Sequence, residues 1–122
     1  MPTTIYALIK AMRREDAVRA LVRYDQPLVV VQHALRAATW DWNAPPIATL
    51  RSSDVVHVLK LYLSGEIEAA DVELWANMLE GREDVDFDPM ALDAIFQLAN
   101  PTLQGTIAEI APAMLARLQQ SA

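Results

Sequence analysis

The chain holds two histidines, no cysteine and sixteen carboxylates in 122 residues. Thiol catalysis is therefore excluded. Asp54 and His57 stand three positions apart, a spacing that on a helix sets a carboxylate beside an imidazole, and such a pair can serve as a general base. Base catalysis of this kind also needs a nucleophile and a third group that orients the ring. No such trio is visible, and the pair reads as a solvated contact on a polar face shared with Lys60. His33 lies among apolar residues and reads as a buried or half-buried structural histidine. Neither histidine has the His-x-x-x-His or Glu-x-x-His spacing of a metal pair.

Asp84, Asp86 and Asp88 alternate like the first ligands of a calcium loop. Such a loop wants glycine at its sixth position and glutamate at its twelfth. Counted from Asp84 these are Pro89 and Ile95, so the match fails. Paired carboxylates for glycosidic cleavage need a cleft and a sugar platform, and no motif supplies either. With three glycines there is no Gly-rich phosphate loop, and Gly-x-Ser-x-Gly is absent. The sequence predicts a protein that is not an enzyme and carries no metal and no cofactor. The lack of thiols removes disulfides and thiolate zinc sites and fits a reducing compartment.

What remains is charge. From Glu66 to Asp93 there are ten acidic residues and one basic residue, Arg82, whereas Met1 to Leu61 carries eight Lys/Arg against five Asp/Glu. A net charge of −6 is thus a mildly basic half joined to a strongly acidic one. The acidic balance disfavours nucleic acid, because phosphate repels it. No run reaches the roughly 20 apolar residues of a membrane span, and Met1 to Tyr6 lacks the pattern of a secretory leader. The expectation is a cytoplasmic protein, with no nucleic-acid or membrane partner.

The elements that must position these groups are helical. Ile5, Leu8, Ile9 and Met12 recur at helix spacing after Thr3 and Thr4. The phase slips at Arg13-Arg14-Glu15-Asp16, and Val18, Leu21 and Val22 begin a new stripe. Asp25 and Pro27 resemble an N-cap with an early proline, opening a helix through Leu28, Val31 and Leu35. The run Leu28 to Val31 also has the composition of a strand, and the sequence alone leaves that choice open. Trp40 to Pro46 is a loop. Ser52 and Ser53 are expected to cap a helix that buries Val55, Val56, Leu59, Tyr62 and Leu63 and ends at Gly65. Ala69 to Glu80 is helical around Val72, Trp75 and Leu79, with Gly81 closing it. Asp88-Pro89 starts a helix expected to bury Leu92, Ile95, Phe96 and Ala99 before Pro101. Thr106 to Glu109 spells a capping box. Pro112 either kinks the last helix or begins a separate one. The predicted architecture is all-α: one domain over residues 1–122, a compact irregular bundle of six or seven short helices.

The stretch Leu59 to Trp75, centred on Tyr62-Leu63-Ser64-Gly65-Glu66-Ile67, resembles the small helical immunity proteins of the colicin D type and of contact-dependent inhibition systems. Leu92 to Phe96 is similar to their next helix. Residues 59 to 96 make up about a third of the chain. The pattern departs at Glu68, where a Ser or Thr cap is expected. The resemblance implies a protein that neutralises a toxin, often a nuclease with a basic cleft, by filling that cleft with an acidic surface.

Some carboxylates have local work: Glu68, Asp71 and Asp88 answer the dipoles of helix N-termini. Glu73, Asn77 and Glu80 then line one helix face, while Glu83, Asp84 and Asp86 form a loop without a basic neighbour. The expected partner-binding residues are Glu66, Glu73, Glu80, Glu83, Asp84, Asp86 and Asp88, with Trp42 as an apolar anchor. The partner expected is a basic protein, a toxin domain on the resemblance. The alternative is a helical interaction or regulatory module whose acidic face only keeps it solvated.

Overall fold

A computed structural model describes residues 12–37 and 45–120. The helix predicted through Ile5, Leu8, Ile9 and Met12 lies outside them except for Met12, which is not helical, and Trp40 and Trp42 lie outside them too. The described elements run α1 (Arg14–Arg23), α2 (Leu28–Ala37), β1 (Ala48–Leu50), α3 (Ser52–Leu63), α4 (Ala69–Leu79), β2 (Val85–Phe87), α5 (Pro89–Ala99), the single turn α6 (Pro101–Gln104) and α7 (Ile107–Gln120). The class is all-α, as predicted.

Several helices start by one device. The N-cap backbone N–H of Arg13 donates to Asp16, that of Arg51 to Asp54, and that of Glu68 to Asp71. In each case an aspartate at N3 satisfies one orphan donor and adds negative charge at the positive end of the helix. Ser52 and Ser53 are therefore not the cap of α3; Arg51 holds that position. Glu68 fills the place where Ser or Thr was expected, because Asp71 supplies the oxygen. Thr106 and Glu109 form the full reciprocal box at α7.

The ends follow equally local rules. Gly65 has φ +84°, its N–H donates to the carbonyl of Tyr62, and that of Glu66 donates to Leu61. This pair of bonds is a Schellman stop, which needs a left-handed residue. Leu28 to Val31 is helical, with Pro27 rather than Asp25 at the cap, its carbonyl accepting from Val30 and Val31. Pro112 lies inside one unbroken helix.

Helix α4 packs along α5, α3 along α7 and α1 along α2. Trp75, fully buried, sits among Leu21, Leu50, Leu59, Leu79, Ile95, Leu98, Met114 and Leu118. Its indole N–H donates to the Leu21 carbonyl at 2.6 Å, and its ring lies 6.4 Å from that of Tyr24.

Two short strands were not predicted. β1 and β2 pair in parallel, Ala48 opposite Val85, Thr49 opposite Asp86 and Leu50 opposite Phe87. Bonds from the Ile47 N–H to the Asp84 carbonyl and from the Asp88 N–H to the Leu50 carbonyl extend the ladder. Parallel neighbours require a long crossover, and here it is α3 and α4. The ladder brings the start of α5 back beside the start of α3.

Candidate functional site

The catalytic candidates separate. Asp54 is buried and faces Arg23, whose guanidinium donates to both carboxylate oxygens at 2.7 and 2.9 Å. It is therefore not a solvated partner of His57, which is exposed. His33 is exposed too, which corrects its reading as a buried residue. Among the described residues no group of three His, Asp or Glu side chains is arranged to hold a metal ion.

The acidic residues divide by environment. Asp84 is 2% exposed, which corrects its place on a docking surface. Arg82 grips both of its oxygens at 2.8 and 2.9 Å, and Arg14 donates from 3.4 Å. Burial alone would raise the Asp84 carboxyl, but the hydrogen bonds and charges of Arg82 and Arg14 outweigh it and hold the group below the ordinary carboxylate range. The basic neighbours missing from the sequence reading are the adjacent Arg82 and the distant Arg14.

Glu66, Glu80, Glu83 and Asp86 are exposed, while Glu73 and Asp88 are half-buried. Glu66 accepts from the Ser64 hydroxyl at 2.9 Å, just past the Gly65 turn. Glu80 caps the C-terminal end of α4 and accepts from the Asn100 amide at 2.9 Å. Asp88 is the N-cap of α5. Trp42 lies outside the described residues.

Sequence reasoning missed the apolar part of this face. Helix α5 was expected to bury Leu92 and Phe96, yet they are 50% and 51% exposed. The buried side is Ala91, Ala94, Ile95, Leu98 and Ala99. Alanines thus share the inward side with Ile95 and Leu98, while Leu92 and Phe96 turn outward. An open groove of about 440 Å³ runs past Leu92 and Phe96, lined by Glu80, Pro89, Asp93 and Ile95 as well. A second hollow of about 300 Å³ is lined by Pro89, Met90, Asp93 and Arg117. Asp93 belongs to both. Its Oδ2 accepts from the Gln97 amide at 2.8 Å, and an Arg117 Nη lies 3.8 Å away.

A third hollow, about 340 Å³, lies at the α1–α2 corner against α4, between Tyr24, Leu28, Val29, Gln32, Asp71 and Leu74. Tyr24 ends α1 with φ +49°, a costly conformation for a bulky residue. Burial, and then the nearby charge of Asp71, raises its hydroxyl pKa. Val29 and Leu74 are partly open to solvent there.

The arrangement offers apolar contact and negative charge side by side. Comparison with protein-family models, with curated proteins and with solved structures yields no match.

Proposed function

We propose that this chain is a non-enzymatic protein-binding protein that docks a basic partner on its α4–α5 face, in the manner of an immunity protein neutralising a nuclease-type toxin in the cytoplasm. The observation that carries this reading is the exposure of Leu92 and Phe96 between the carboxylates of Glu80 and Asp93. Tight protein interfaces combine a few apolar anchors with a polar rim. Exposed Glu66, Glu80, Glu83 and Asp86 add a field that speeds the approach of a cationic partner and disfavours an anionic one. Half-buried Glu73 and Asp88 add to the same negative field.

The test is co-expression with toxin genes that neighbour its own gene, scored for protection. Reversing Glu80, Glu83 and Asp86 to lysine together should slow association by about tenfold at low salt, and the gap should narrow as salt screens the field. An unchanged on-rate overturns the acidic-face reading. Protection that survives the triple reversal but is lost in Phe96→Ser leaves the carboxylates as a solvating surface around an apolar site.

A further inference from the structure

The geometry points to a defined occupant for the groove on α5: a segment of the partner that presents apolar side chains beside a lysine or arginine, the cation taking Asp93 over from Arg117. This rests on the protein-binding reading above and deepens it.

Three observations converge. Leu92 and Phe96 are one helical turn apart, so they present a strip about 6 Å long rather than a broad plane. Two half-exposed side chains of this size leave on the order of 200 Å² open, far below the roughly 800 Å² that each partner buries in a stable flat interface. The strip is therefore an anchor for one segment, with the rest of the contact supplied by its rim. The rim beside it carries negative charge from Glu80 and Asp93, which selects a cation and rejects a carboxylate.

Asp93 is the carboxylate that can change partners. It stands where the two hollows meet, open to both. Its Oδ2 already has a short bond from Gln97, on its own helix, at 2.8 Å. Arg117 reaches the same oxygen only at 3.8 Å, with both side chains about half exposed or more. Beyond hydrogen-bond distance and in solvent, such a pair contributes little. A guanidinium or ammonium brought in by the partner, with its apolar neighbours over Leu92 and Phe96, would meet Asp93 in a drier setting and at shorter range. Giving up so weak a neighbour as Arg117 costs the complex little.

The test uses the full chain and a stapled helical peptide of about four turns, with leucine and phenylalanine at i,i+4 spacing and arginines beside them. A second peptide replaces the arginines by glutamates, and a third replaces the apolar pair by serines. In NMR titrations the first peptide should shift Leu92, Asp93 and Phe96 saturably, and the other two should bind at least about tenfold more weakly. Asp93→Asn should weaken the first peptide about tenfold, and Arg117→Ala should leave it unchanged or up to about twofold tighter. Each variant is first checked for an unchanged Tm. If Asp93→Asn fails to fold, Arg117→Ala and the peptide selectivity decide. Equal binding of the glutamate peptide, or weaker binding to Arg117→Ala, overturns the inference. Shifts confined to Glu66, Glu73 and Glu83, unmoved by Phe96→Ser, overturn this groove but leave a basic-partner face standing.

Discussion

Arg14 and Asp84 are seventy positions apart in the chain and 3.4 Å apart in the fold. Arg14 begins α1, and Asp84 sits at the turn into β2, where its backbone carbonyl accepts from Ile47. One side chain thus ties the first described helix to the strand that leads into α5. Arg82 holds the same carboxylate from the other side. The most acidic stretch of the sequence is pinned by a residue that solvent barely reaches.

Removing one partner of a buried ion pair leaves the others uncompensated, which costs about 3–5 kcal/mol. Asp84→Ala is expected to lose stability of that order in urea unfolding at neutral pH. Because the folded pKa of Asp84 is depressed, its contribution is fully present above the unfolded carboxylate value of about 3.9. It is lost as pH falls below that value toward the folded pKa. The stability gap between wild type and Asp84→Ala should therefore be constant from neutral pH down to about pH 5 and shrink on further acidification.

Trp75→Phe removes the donor to the Leu21 carbonyl and part of a fully buried ring. The Leu21 carbonyl keeps its bond from the Tyr24 N–H, so the lost indole bond and the small void should together cost about 1–3 kcal/mol. Circular dichroism during denaturation measures this without relying on tryptophan emission. A loss below about 1 kcal/mol would mean that the indole bond is dispensable.

On α5 the neighbours Ile95 and Phe96 should behave oppositely. Ile95→Ala empties a fully buried site and should cost about 2–5 kcal/mol. Phe96→Ser and Leu92→Ser, at half-exposed positions, should each change Tm little, equivalent to less than about 1 kcal/mol. Their effect should fall on partner binding instead.

Asp54 caps α3 through the Arg51 N–H and holds Arg23 in a two-pronged grip. Asp54→Ala should cost about 2 kcal/mol, most of it the lost cap, since the Arg23 side chain is 52% exposed and its pairing is screened. His57→Gln should leave stability within about 0.5 kcal/mol of wild type. A larger effect would return a role to the imidazole.

Helix identity was legible because its signals are local. Gly65, the Asp88-Pro89 pair and the Thr106–Glu109 box act within one turn of chain, and the buried stripe at Val72, Trp75 and Leu79 repeats at helix spacing. Strands of three residues are too short to show a period of two, so β1 and β2 left no trace in the pattern. The chemistry of the candidate face was half legible. The exposed carboxylates could be read from composition, but Asp84 could not be told from Asp86, since the grip of Arg82 and the arrival of Arg14 distinguish them only in the fold.

By itself, then, the amino-acid order determined an all-α chain with an acidic second half, because capping, turn geometry and helical period are settled between near neighbours. The tertiary structure alone decided which carboxylates turn inward and which apolar side chains stay outside. Those choices depend on what each helix meets: Arg14 meets Asp84 across seventy residues, and α5 turns Ala91, Ala94, Ile95 and Leu98 to the core, which leaves Leu92 and Phe96 to solvent.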